Sequence, residues 1–191
     1  MARERKFTRE SLFEATKELL LELGFEGFTF SQLAERLNVS RSALYKYYQN
    51  KDELVMDYML YHMHQFMEDL KDIETYNGFT AQFNHLIRLM YRHSRIHQIL
   101  KTSQYIPANA NTKMKESKER LDRMHDDMYT QLQGFIERGR KEKILKPDIP
   151  ADLILVFIFQ LVEIPNRSNI SREEWIEQVT RILSHGMFTE T

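Results

Sequence analysis

Between Arg41 and Lys51 the chain carries Arg41, Ser42, Tyr45, Lys46, Tyr47 and Lys51, a set of cations, hydroxyls and aromatic rings with no acid among them. A guanidinium can fork onto the edge of a guanine, and a serine hydroxyl can donate or accept there. Tyrosine hydroxyls, and a lysine at a helix start whose N–H groups are free, suit phosphate oxygens. The chemistry on offer is recognition of a nucleic acid. Catalytic and metal chemistry are scant by comparison. His93 and His97 stand four apart, as two ligands on one helical face would, but no Glu follows His93 as in a zinc-protease motif and no third ligand is evident. His62 and His64 are two apart and diverge on a helix, and His125 beside Asp126 and Asp127 reads as a wet face. With no cysteine there are no thiolate sites, disulfides or Cys nucleophiles. No nucleophile–base pair or Gly-rich phosphate loop stands out, so an enzyme, a metal and a cofactor are not expected.

To act together, the side chains of residues 41–51 must be presented by helices. Six Gly and four Pro among 191 residues are few, where average usage is roughly 12% for the pair, so the chain is expected to be all-α. A first helix is predicted over Thr8–Leu23, capped by Thr8 and stopped by Gly24. Thr29-Phe30-Ser31-Gln32 has the capping-box pattern and opens a short second helix from Phe30 to Leu37. Asn38 falls where the chain must turn sharply, in a left-handed conformation that Asn tolerates. A third helix runs from Arg41 to about Tyr48, and burying Leu44 and Tyr48 turns Arg41, Ser42, Tyr45 and Lys46 outward. Helices two and three have the size and pattern of a helix-turn-helix.

Asn50-Lys51-Asp52-Glu53 opens a fourth helix reaching about Ile73, and Thr80 is read as the cap of a fifth. A sixth follows before the loop around Pro107. A seventh spans about Lys113–Lys143, and an eighth runs from Ala151 to about Glu163 with Pro150 in its first turn. Ser171-Arg172-Glu173-Glu174 caps the ninth. The longest apolar run, Leu153–Phe159, is far short of the roughly 20 residues that span a bilayer. Met1–Leu12 has no apolar stretch of signal-peptide length. A cytoplasmic protein without membrane contact is expected.

Charge at first argues against DNA. Twenty-seven Lys and Arg face 28 Asp and Glu, for a net of -1. Yet from Ser31 to Lys51 there are four cations, Arg36, Arg41, Lys46 and Lys51, against Glu35 alone, a local net of +3. Arg3, Arg5, Lys6 and Arg9 add a basic arm. Acids lie mainly on the first helix, away from the groove face.

The segments Gly24-Phe25-Glu26-Gly27-Phe28-Thr29, Leu33-Ala34-Glu35, Val39–Tyr48 and Asn50-Lys51-Asp52-Glu53-Leu54 closely resemble the DNA-binding domain of the TetR (tetracycline-repressor) family of transcription regulators. The resemblance implies that Thr29, Tyr45, Tyr47 and Lys51 contact phosphates. It further implies that Ser31, Arg41, Ser42, Ala43 and Lys46 face or approach bases of a double-stranded operator, with Tyr48 in the core. Asn38 departs from the family's usual Gly. By the same resemblance residues 1–50 form the helix-turn-helix domain, and residues 51–191 a helical ligand-binding and dimerisation domain. The Gly139–Asp148 stretch resembles the family's junction before its penultimate helix.

The implied protein is a homodimer joined through its last two helices. It is a repressor released from a pseudo-palindromic operator by an unknown small-molecule ligand. Leu153–Phe159, apolar all round as a helix, independently calls for a partner on one side. Tyr61, Phe66, Phe83, Met90, His97, Tyr105, Met128 and Phe157 are the candidate pocket residues. The alternative is a helical dimeric interaction or ligand-binding protein that does not bind DNA.

Overall fold

The computed structural model describes residues 7–100, 106 and 111–189. Among them nine α-helices follow one another: α1 (Arg9–Gly27), α2 (Phe30–Arg36), α3 (Arg41–Leu44), α4 (Lys51–Lys71), α5 (Phe79–Arg92), α6 (Ser94–Leu100), α7 (Thr112–Lys141), α8 (Ala151–Gln160) and α9 (Arg172–Met187). Turns of 3-10 helix extend α4 over Asp72–Thr75 and α8 over Leu161–Glu163. The architecture is all-α, and the β pairing among the described residues is a single isolated bridge, Leu145 to Phe188. None of the described helices is long and apolar enough to cross a membrane. The chain divides into two compact units, one taking residues up to Met63 and Arg95–Asp122, the other His64–Ser94 and residues from Arg123 onward.

In the first unit, reciprocal capping boxes start α1 and α2. Thr8 Oγ1 accepts the Ser11 N–H at 3.1 Å while Ser11 Oγ accepts the Thr8 N–H at 3.0 Å. Gln32 Oε1 accepts the Thr29 N–H at 2.9 Å, and the Gln32 N–H reaches back to Thr29 Oγ1. Each box satisfies donors that a helix start leaves open. Gly24, at φ +68, ends the regular part of α1, and one further turn reaches Gly27. Asn38 takes the left-handed conformation at φ +51, and the Val39 N–H closes the turn onto the Ala34 carbonyl at 2.9 Å. Phe28, Leu33, Leu44, Leu54 and Tyr58 are fully buried in this unit.

In the second unit the Phe79 ring stacks on Phe135 at 4.6 Å, and Phe83 meets Phe188 edge-on at 5.1 Å. Gly139 is required here, because a Cβ at that position would overlap the Phe79 ring. After α7 the chain turns back through Lys143, at φ +59, and pairs with the end of α9: the Lys146 N–H donates to Met187 O at 2.9 Å and the Thr189 N–H to Ile144 O at 2.8 Å. Helix α8 buries Ile154, Leu155 and Ile158 and turns Leu153, Val156 and Phe157 outward, each about half exposed.

Three local expectations change. Helix α3 ends at Leu44, and Tyr45–Tyr47 form a tighter turn in which the Tyr47 N–H reaches the Leu44 carbonyl at 2.9 Å. Helix α5 starts two residues early, with Gly78 at φ +80 as its cap instead of Thr80, a start that brings Phe79 into the core. At α4 Asn50 Oδ1 accepts the Glu53 N–H at 2.9 Å, but the Glu53 carboxylate caps the Gln49 N–H instead of closing the box on Asn50.

Candidate nucleic-acid interface

With Leu44 buried, the short α3 and the turn after it expose Arg41, Ser42, Tyr45, Lys46 and Tyr47, while Ala43 is half-buried. Two aromatic contacts steady this face. The Tyr45 ring meets Phe30 at 5.1 Å and the Tyr47 ring meets Phe7 at 5.6 Å, both edge-on, yet 49% and 42% of these tyrosines stay exposed. Each tyrosine is thus held by its ring while staying partly exposed. Ser42 Oγ lies 2.9 Å from Ser40 Oγ. Thr29 and Ser31 are exposed at the start of α2, and the Thr29 hydroxyl donates to Gln32 Oε1 at 2.7 Å. Tyr48 corrects the expectation of a core residue. It is half-buried, and its hydroxyl donates to Asp57 Oδ2 at 2.7 Å, joining the turn after α3 to α4.

The cations counted along the sequence are unequal in the fold. Arg36 forks onto two α1 acids, Glu18 at 2.8 Å and Glu22 at 2.9 Å. Its hydrogen bond holds the Glu22 carboxyl below the usual carboxylate range, and those to Glu22 and then Glu18 raise Arg36. Lys51 is half-buried: its ammonium donates to Phe25 O at 2.8 Å and Glu26 O at 3.4 Å and lies over the Phe25 ring at 4.6 Å. It satisfies carbonyls left open where α1 breaks at Gly24, a common use of lysine near a helix end, and keeps one N–H for any other acceptor. Arg9 bonds Asp57 Oδ1 at 2.9 Å, with the Phe13 and Tyr61 rings each 4.9 Å away. Arg3, Arg5 and Lys6 lie outside the described residues. Between Ser31 and Lys51, Arg41 and Lys46 are therefore the exposed cations for which no acid partner is found among the described residues. Asp57, which receives both Arg9 and Tyr48, carries no signal in the sequence that would have marked it.

The candidate pocket residues that the structure describes fall in both units. Phe66, Phe83, Met90 and Met128 are buried in the second unit, with the Phe66 ring edge-on to His93 at 5.3 Å. Tyr61 belongs to the first unit against Phe13 and Arg9. Phe157 faces outward at 52% exposure, because the other side of α8 takes the core. The side chain of His97, and Tyr105, fall outside the described residues. His93 is engaged with Asp69, its Nε2 2.9 Å from Oδ2. No group of three or more His, Asp or Glu suited to a metal occurs among the described residues.

Residues 12–57 match the family described as bacterial regulatory proteins, tetR family. The HTH-type transcriptional regulator YdeS of Bacillus subtilis is 40% identical over 53 residues, 28% of this chain. The match spans only about a quarter, 27%, of that relative's length. Among solved structures, the ketosteroid transcriptional regulator KstR2 of Mycobacterium tuberculosis superposes with a TM-score of 0.76 at 16% identity, covering 100% of this chain and 98% of its own. FadR of Bacillus subtilis, solved in complex with stearoyl-CoA, gives 0.67 at 17% identity, over 94% and 99% of the two chains. At such identities these two speak to the fold alone. Residues 12–57 thus carry the helix-turn-helix of the tetR family of bacterial regulatory proteins, and over its whole length the chain shares its fold with the transcriptional regulator KstR2.

Proposed function

We propose that the protein is a cytoplasmic, homodimeric transcriptional repressor without enzymatic activity, and that a small molecule releases it from a pseudo-palindromic operator. The observation that carries this reading is the exposed face of Arg41, Ser42, Tyr45, Lys46 and Tyr47 around the buried Leu44. In it α3 enters the major groove, Arg41 and Ser42 reach base edges with Ala43, Lys46 and Ser31 near them, and Thr29, Tyr45, Tyr47 and the remaining Lys51 N–H meet phosphates. Two subunits then read half-sites about one helical turn apart, or a multiple of it. Residues 1–50 serve as the DNA-binding part and 51–191 as the part that dimerises and takes the effector.

Dimerisation is assigned to α8 and α9. Leu153, Val156 and Phe157, with Ile182 at 69% exposure, are large apolar side chains turned to solvent, and covering such a surface is the ordinary drive for association. The effector is assigned to the apolar surroundings of Phe66, Phe83, Met90 and Met128. The stearoyl-CoA held by the FadR neighbour supports a small-molecule effector of some kind.

The test is selection of operator DNA from a random duplex pool, then binding by fluorescence anisotropy across salt concentrations. Binding that weakens with salt, and an Arg41→Ala variant that loses about 1–3 kcal/mol on the selected site and little on random duplex, support the reading. Absent or salt-insensitive binding favours a dimeric interaction protein, and equal losses on both DNAs refute base reading by Arg41.

A further inference from the structure

The side chain of Glu53 is 3% exposed, yet only one of its oxygens is hydrogen-bonded. Oε2 caps the Gln49 N–H at 2.9 Å. Oε1 has no hydrogen-bond partner, and the nearest cation, Lys113 Nζ, stands 3.6 Å away, beyond hydrogen-bond length. A buried carboxylate oxygen without a donor is costly. Glu53 lines a cavity of about 290 Å³ within the first unit, together with Tyr47, Met56, Leu60 and Met114. Asp57 lies on the same wall, but both its oxygens are taken, by Arg9 and by the Tyr48 hydroxyl. The cavity thus offers one anionic oxygen without a hydrogen-bond donor in a mixed lining, where Met56, Leu60 and Met114 supply apolar surface beside the polar Tyr48, Lys113 and Ser117.

We propose that this cavity binds a small organic monocation, a primary ammonium on an apolar body, with an N–H on Glu53 Oε1 and the body against Met56, Leu60 and Met114. Lys113 is 68% exposed and stands 3.6 Å from Glu53 Oε1 without a hydrogen bond, so a ligand ammonium that hydrogen-bonds this oxygen replaces a longer contact, and the displaced Lys113 head returns to solvent. The volume equals about ten waters at roughly 30 Å³ each, which suits a fragment-sized molecule. An anion meets Glu53 and Asp57, and a neutral molecule leaves Oε1 unpaired. Tyr47 and Tyr48, which follow α3, form part of the wall. If DNA binds next to them, amine and DNA alter each other's affinity by the same factor. The site is separate from the effector residues proposed above and its test needs no DNA, so the two readings fail independently.

The test is isothermal titration calorimetry of the full chain with phenethylammonium chloride, and with 2-phenylethanol and phenylacetate as neutral and anionic counterparts of similar size. Saturable binding of the ammonium alone is expected. Glu53→Gln, whose amide oxygen still caps Gln49, weakens it at least about tenfold. Lys113→Met, a change at an exposed side chain, removes the competing cation and tightens binding several-fold. Equal binding of 2-phenylethanol, unchanged affinity in Glu53→Gln, weaker binding in Lys113→Met, or no saturable heat up to about 10 mM ligand overturns the proposal. Thermal melting followed by circular dichroism checks that each variant is folded. Should Glu53→Gln unfold, Lys113→Met and the neutral counterpart decide.

Discussion

The unequal standing of the basic residues makes a quantitative prediction about salt. Arg36 already has its guanidinium on Glu18 and Glu22, whereas Lys46 is exposed with no acid partner among the described residues. Each phosphate that a protein neutralises on duplex DNA contributes about 0.9 to the slope of log affinity against log salt. If Lys46 meets one phosphate in each subunit, Lys46→Ala lowers the slope of the dimer by about 1.8. Going from 50 to 200 mM salt, about 0.6 on the logarithmic axis, the advantage of the unmodified protein over the variant then shrinks about tenfold. Arg36→Gln leaves the slope unchanged, because that cation releases no counterion from DNA while it stays on α1. The assay is fluorescence anisotropy on one labelled duplex at four or five salt concentrations, with all three proteins on the same DNA. An Arg36→Gln slope that falls as far as that of Lys46→Ala refutes the division into engaged and available cations, and so does an unchanged slope in Lys46→Ala.

Two further outcomes test the second unit. Gly139→Ala places a methyl group against the Phe79 ring and costs about 1–3 kcal/mol, read as a lower denaturation midpoint in urea at unchanged m-value; a variant as stable as the parent contradicts the close approach. Ile182→Asp puts a charge at the most exposed large apolar residue of α9 and shifts the protein to monomer in sedimentation velocity without loss of helix; a dimer of undiminished affinity moves the interface elsewhere.

Much of the helical order was legible because it is written in local chemistry. Thr8, Thr29 and Ser171 cap α1, α2 and α9 with their own side chains, and a cap needs only residues within one turn. Asn38 takes the left-handed turn that its short polar side chain permits. The Leu153–Phe159 run forms a helix with one outward face, as its all-round apolar character required. Less legible were places where a distant side chain intervenes. Phe79 draws the start of α5 back to Gly78 through its fit against Phe135 and Gly139. The turn after α3 is tighter than a helix would be, with its rings held by Phe30 and Phe7.

Spacing along the chain was enough to establish an all-α protein with a helix-turn-helix near its start, because capping, periodicity and the shortage of Gly and Pro act over a few residues. The same spacing placed four cations between Ser31 and Lys51 and assigned them one common role. Tertiary structure separated them. Arg36 is neutralised by acids 14 and 18 positions earlier in the chain, and Lys51 closes a helix end 25 to 26 positions away. Arg41 and Lys46 remain on the exposed face. A charge can be counted in one dimension, but whether it is available depends on what lies within about 4 Å of it in three.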